Sequence, residues 1–279
     1  MSLVINTNLA SLNTQMNVGN SQSMMAQAMQ RLSTGLRINS AKDDAAGLAI
    51  SQRMQAQING MNQAVNNSND AISVMQTTEG ALSTLGDNVQ RIRELAVQSA
   101  NGAISNTDRA SIQNEVDQLT AENNRLVNTM QFNGNKLLDG SQGTAVSFQV
   151  GANSGDTIAV DFTKFDMTTL SSASAATAGT VDVSTATAAT AALTSMDSDL
   201  NAINNARAAT GAYQNRFQAV VSNLQSSVQN TTAASGSITD ADYAAETASL
   251  SKTQILQQAG MAMLSQANSM PQSVLKLLG

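Results

Sequence analysis

Apolar residues recur in alternating steps of four and three at both ends of this chain. From Leu256 the series is Leu256, Gly260, Met263, Ala267, Met270, Val274 and Leu277. At the other end Ile5, Leu9, Leu12 and Met16 keep the same step, and a second phase runs Met25, Met29, Leu32, Leu36 with Gly19 and Ser23 between. This is the spacing of a heptad seam on an α-helix. A helix with so narrow a stripe cannot bury it alone. Two unrelated amphipathic helices on a globular core are one reading. The other is that the ends pair with each other as a coiled coil, leaving further apolar surface for other copies. The length and terminal position of both stripes favour the second.

Composition removes most chemical alternatives. Among 279 residues there is no Cys, His or Trp, and the net charge is -6. Without Cys there are no disulfides or thiolate metal sites. Without His, Ser-His-Asp triads and His-ligated zinc are gone. The acidic balance opposes general nucleic-acid binding, which needs a basic stripe. No cofactor is expected. The Asn-rich start lacks a positive n-region, so no cleaved signal peptide is expected. No apolar run is long enough for membrane insertion.

Between the ends the helical rhythm persists. Asp43 and Asp44 in "SAKDDAAG" read as a helix start, with carboxylates at the positive end of the helix dipole. From Asp44 to about Ala100 the stripe Met54, Ile58, Met61, Val65, Ser68, Ile72, Met75, Leu82, Gly86, Val89 marks one very long helix, with Glu79 the one charged residue in register. "NGAISNTD" breaks it, and Ile112, Val116, Leu119, Leu126 and Met130 make an antiparallel return helix. "QFNGNKLLDGSQG" is turn-rich. The period then drops to two, Val146, Phe148, Val150 and Ile158, Val160, Phe162, on either side of "GANSGD", which predicts a β-hairpin. Thr168 to Ser198, rich in Ser, Thr and Ala, reads as surface segment with weak structure. Helix returns at Leu200, Ile203, Phe217, Val221, Leu224 and Val228, and "NTTAASGS" reads as a polar break before the last helix. The fold class is therefore mainly α, with long helical-hairpin and coiled-coil rods formed by both termini and a small β-hairpin region in the middle. The expected division is residues 1–43 with 236–279 as a terminal coiled-coil domain. Residues 44–235 form a helical rod domain, with the β-hairpin region at about 131–185.

The segments "GLRINSAKDDAAGLAI", "QTTEGAL", "QRIRELAVQSAN", "QFNG", "FQVGAN", "GAYQNRF" and "DADYAAETASLSKTQILQQAGMAMLSQAN" resemble bacterial flagellin. The resemblance runs from about Val4 to Asp166 and from Met196 to Leu278, in the family's order. It implies a structural subunit, not an enzyme, that polymerises with itself into the extracellular flagellar filament used for swimming motility. A hook–filament junction protein, which shares the terminal helices, is the alternative. The Ser/Thr/Ala-rich stretch stands where larger flagellins carry outer domains, so the chain resembles a minimal form. Those hydroxyls supply acceptors for O-linked sugars, as in many flagellins.

The resemblance also implies partners and residues. Partners are the hook-associated junction and cap proteins and a flagellar secretion chaperone. Export follows the family's type III route without a cleaved signal. Recognition by a host Toll-like receptor, and subunit contact, carries over onto Arg91, Leu95 and Glu115. Coiled-coil and assembly contacts are assigned to Ile5, Leu9, Leu12, Leu256, Met263, Met270, Val274, Leu277 and Leu278. The closing "LLG" departs from the family's commoner "LLR", so Gly279 carries no terminal positive charge.

Overall fold

A computed structural model describes residues 7–143, 145–173 and 181–278, with side chains described to residue 270. The element order is α1 (Leu9–Thr34), α2 (Ala45–Ala100), α3 (Asn106–Thr129), β1 (Gln131–Phe132), β2 (Asn135–Lys136), β3 (Val146–Gln149), β4 (Thr157–Val160), a 3-10 turn (Phe162–Phe165), α4 (Ala186–Thr239) and α5 (Tyr243–Leu278). The chain divides into two compact units, residues 1–56 with 230–279 and residues 57–229.

Local chemistry sets most helix ends. Asn8 caps α1 by accepting from Ser11 N–H at 3.1 Å, and Gly35 closes it in the left-handed conformation at φ 71°. Asp44 accepts from Gly47 N–H at 2.8 Å, as its position before α2 predicts. Asp43 instead ties the preceding loop, accepting from the N–H groups of Asn39 and Ser40 and from the Ser40 hydroxyl. Those bonds hold its carboxyl below the usual range. Ser105 caps α3 at the N–H of Asp108.

In the first unit α1 and α5 lie side by side, with Cα atoms within 8 Å of each other. The segments that follow α1 and α4 pair antiparallel through Leu36 and Asp240, with Arg37 N–H donating to Thr239 O at 2.7 Å and Ala241 N–H to Gly35 O at 2.9 Å.

In the second unit α2 packs antiparallel with both α3 and α4. Asn88 reaches Asn123 and Arg91 reaches Glu115 on α3, while Glu79 pairs with Arg207 and Arg93 with Asp197 on α4. The core between them holds Met75, Leu82, Leu85, Val89, Ile92, Val116, Val127, Met196, Ile203 and Phe217. Buried Arg109 seals the end of α2. Its guanidinium donates to the carbonyls of Ser99 and Asn101, which a helix C-terminus leaves without partners.

The β3–β4 hairpin pairs Val146 with Val160 and Phe148 with Ile158. Phe148 meets Phe217 edge-on at 5.6 Å between ring centroids. A Cβ at Gly60 would stand 2.9 Å from Ala152 Cβ, so glycine there lets the hairpin turn rest against α2.

Four local readings change. "QFNG" is more than turn: Asn133 and Gly134 have φ 49° and 83°, joining β1 to β2 as a two-residue hairpin with both central residues left-handed. Phe162 leaves the strand alternation for a 3-10 turn that Asp161 caps at the N–H of Thr163. The Ser/Thr/Ala stretch is not weakly structured throughout. Leu170, Ala173, Val181 and Val183 are buried and α4 begins at Ala186, while residues 174–180 lie outside the described residues. Gln113 holds Val181 and Val183 as a strand neighbour would, donating to one carbonyl at 2.9 Å and accepting from the other N–H at 2.7 Å. Buried Asp199 accepts from the N–H groups of Ser171 and Ser172. Finally "NTTAASGS" does not break the chain. Alanine favours helix, Thr239 and Ser237 turn their hydroxyls onto carbonyls of the preceding turn, and α4 runs on to Thr239.

Candidate assembly surface

The fully buried positions in the contact between α1 and α5 are small residues and one valine. On α1 the buried positions are Ser11, Val18, Ser21 and Ala28, with Met25 and Leu32 half-buried between turns. On α5 they are Thr253 and Ala267, with Leu250, Gln257, Gly260 and Leu264 half-buried along the same stripe. Each series keeps the step of four and three. A Cβ on Gly260 would lie 2.7 Å from a Val18 methyl, so glycine here sets how closely the helices cross. Polar groups close the two ends of the seam. Asn8 donates to the Ala267 carbonyl at 2.8 Å and Ser11 to the Asn268 side chain at 2.8 Å. At the far end Arg31 and Glu246 form an ion pair at 2.8 Å, largely withdrawn from solvent, and the Tyr243 hydroxyl donates to Leu32 O.

The heptad frame expected from the sequence was displaced. The series from Leu256 mixes two faces: Gly260 and Ala267 are in the seam, while Leu256, Met263 and Met270 flank it at 43%, 62% and 49% exposure. Leu9, Leu12 and Met16 lie on the side of α1 opposite α5 and are also exposed. They belong to a different heptad position from Ser11 and Val18, which the eye passes over because serine is polar. Ile5, and the side chains of Val274, Leu277 and Leu278, lie outside the described residues; the backbone at those last three is helical. The surface also includes Met24, Ile255 and Met261, which no sequence expectation named, and Met29, which the second phase had put in the stripe with Met25 and Leu32. Reading the small-residue stripe as the seam would have found them.

The result is a helix pair whose fully buried positions are mostly small and whose exposed positions include many large apolar groups. Full burial of one Leu or Met side chain is worth roughly 1.5–3 kcal/mol. The inner stripe's Ser, Ala, Thr and Gly positions gain less than that per residue and its Met and Leu members are only half-buried, so much of the pair's hydrophobic potential faces outward.

The second unit holds the Arg91 cluster. Arg91 Nε and Nη2 donate to one Glu115 oxygen at 2.9 and 2.8 Å, and Nη1 approaches Glu94 at 3.3 Å. These carboxylates raise the guanidinium's pKa further. Arg91 and Glu115 are exposed. Leu95 is not part of that surface: one turn along α2 from Arg91, it is only 3% exposed and is buried in the core with Ile92. The apolar residue beside the cluster that does reach solvent is Val97. Among the described residues no group of three carboxylates is placed to hold a metal ion.

Two family descriptions match this chain. The bacterial flagellin N-terminal helical region covers residues 5–143 and the bacterial flagellin C-terminal helical region covers residues 193–278. A flagellin of Halalkalibacterium halodurans is 46% identical over 276 residues, covering 99% of this chain and 100% of that protein. A flagellin of Bacillus subtilis is 41% identical over 301 residues, covering 98% and 99%. A phase 1 flagellin of Salmonella naestved is 53% identical over 170 residues, 61% of this chain but only 33% of that protein. The crystal structure of Bacillus cereus flagellin is similar at a TM-score of 0.50 and 31% identity, covering 61% of this chain and 94% of that one.

Proposed function

The chain belongs to the bacterial flagellin family, and from that premise we propose that the outward apolar face of the α1–α5 pair is where one subunit adds to the next. The protein is a structural subunit of the extracellular flagellar filament. It polymerises with itself and is not an enzyme. It is a short form: only residues 144–192 separate the two matched regions.

The observation that carries the proposal is the inversion of bulk across the pair. Leu9, Leu12 and Met16 on α1, and Ile255, Leu256, Met261, Met263 and Met270 on α5, are all exposed in the single chain. Polymerisation supplies the cover that one copy lacks. It also explains a seam of small residues: the pair is held closely but weakly by itself, and neighbours complete it.

The test is a pair of charge substitutions on opposite faces. Met16→Asp or Met263→Asp should leave the melting of the monomer unchanged and raise the critical concentration for polymerisation. Stranding one charge in an apolar contact costs on the order of 2–5 kcal/mol, and the cost recurs in every subunit. Ala267→Asp, in the seam, should instead lower the helix content of the monomer. An unchanged critical concentration for both outward variants would show that this face stays in solvent.

The remaining partners rest on family membership. We propose that junction and cap proteins meet the same terminal helices, and that the secretion chaperone binds the last turns around Leu275, Leu277 and Leu278 as a helix in a groove. Export follows the family's type III route without signal cleavage. Toll-like receptor recognition, where a host is met, uses exposed Arg91 and Glu115, with Leu95 supporting the helix from beneath. Arg91→Ala should weaken receptor activation, and Leu95→Ala should act only through stability.

A further inference from the structure

Methionine is unevenly distributed in exposure. In the second unit Met75, Met167 and Met196 are at most 2% exposed. In the first unit Met16, Met24, Met29, Met261, Met263 and Met270 are exposed at 60%, 46%, 47%, 54%, 62% and 49%. The chain has no Cys, so the thioether is the only oxidisable sulfur it carries. Sulfoxide formation turns a flexible apolar side chain into a polar one, and its rate follows access to solvent. These six side chains lie on the two helices whose outward face is the assembly surface.

We propose that Met16, Met24, Met29, Met261, Met263 and Met270 form an oxidant-sensitive modification site that decides whether a free subunit can join the filament. The co-reactant is a peroxide. A sulfur lone pair attacks the terminal peroxide oxygen, the O–O bond breaks and an S–O bond forms. The departing hydroxide takes up a proton to become water. Sulfur loses two electrons and the peroxide gains them. The new oxygen is a strong acceptor and must be desolvated if the face is to be covered, so the modified subunit adds poorly. Covered in the filament, the same sulfurs are shielded. The effect therefore falls on subunits not yet incorporated. This inference rests on the assembly reading above.

The experiment uses the full-length chain. Monomer is treated with hydrogen peroxide, sulfoxides are mapped by peptide mass spectrometry, and seeded elongation is measured alongside the monomer's thermal melt. The expected result is sulfoxide at the six positions before Met75, Met167 or Met196. The melt of the second unit should be unchanged, and the critical concentration should rise about tenfold or more, the equivalent of about 1.4 kcal/mol. Treatment with methionine sulfoxide reductases should restore elongation. A variant with all six changed to Leu, a volume-conserving swap, should elongate equally before and after peroxide. Normal elongation by fully modified wild-type subunits would overturn the proposal. So would equal loss of elongation in the Leu variant, or failure of the reductases to restore it. Preformed filaments treated in parallel separate this from the underlying reading. Oxidation of the six at the monomer's rate would mean the face is uncovered and the assembly reading is wrong. Protection in filaments with normal elongation of oxidised monomer would reject only the switch.

Discussion

Gly86 shows how a single position is decided by its neighbour. It sits in the buried stripe of α2, where a large side chain is expected, and it faces α4: a Cβ there would meet an Ile203 methyl at 3.7 Å. That is ordinary contact, so one carbon fits and four do not. Gly86→Ala should stabilise the second unit by up to about 1 kcal/mol through helix propensity. Gly86→Leu should destabilise it by about 1–3 kcal/mol through overpacking against Ile203. Chemical denaturation of the monomer measures both, and a Leu variant as stable as wild type would place Gly86 against another subunit instead. Leu95 and Arg91 make the same point four residues apart. Their positions in "QRIRELAVQ" look equivalent on the page, yet one faces the core and the other solvent.

At the scale of elements the α1–α5 pair is governed by Gly260. β-branched Val18 cannot easily turn its methyl aside on a helix, and a Cβ at 2.7 Å forces the backbones apart. Gly260→Val should therefore loosen the pair, losing the hydrogen bonds from Asn8 to Ala267 and from Ser11 to Asn268. Amide hydrogen exchange should rise along α1 and α5 while α2–α3 protection is unchanged. Unaltered protection of α1 would mean that the polar clasps at its ends hold it without close packing. The same element explains the displaced heptad frame. Pattern reading weights Leu and Met as the seam, but a close helix pair selects Ser, Ala and Gly, and the large residues fall to the flanks.

For the molecule as a whole, acidity acts in one direction. Glu122 is held below its usual range chiefly by Arg125, Asp161 by Thr163 and Asp182 by Ser184. At Asp139 burial pushes upward, but bonds from Ser141 and Lys136 outweigh it and leave the carboxyl lowered. A lowered folded pKa means the unfolded chain binds protons first. The stabilisation is complete above the ordinary carboxylate range, about pH 4, and is lost as pH falls through the lowered values. The melting temperature of the second unit should hold from neutrality down to about pH 5 and then decline. Asp161→Asn should flatten part of that decline. A melt that rises on acidification would contradict the sign. These groups are largely in solvent, so added salt should weaken the ion-paired contribution of Glu122.

Periodicity and capping chemistry were enough to determine the long helices, the start of α2 at "KDDAAG", the antiparallel return after "NGAISNTD" and the β3–β4 hairpin, because those features follow from backbone geometry within a few residues. Family membership was legible for a similar reason, in long stretches of matching residues. The tertiary structure alone decided which stripe of α1 meets α5, where Leu95 faces, and that Val181 and Val183 are buried beside Gln113. In each case the outcome depends on what a distant segment presents. A serine stripe is core only when another helix comes close enough to bury it, and a large apolar stripe is surface only while no second copy covers it.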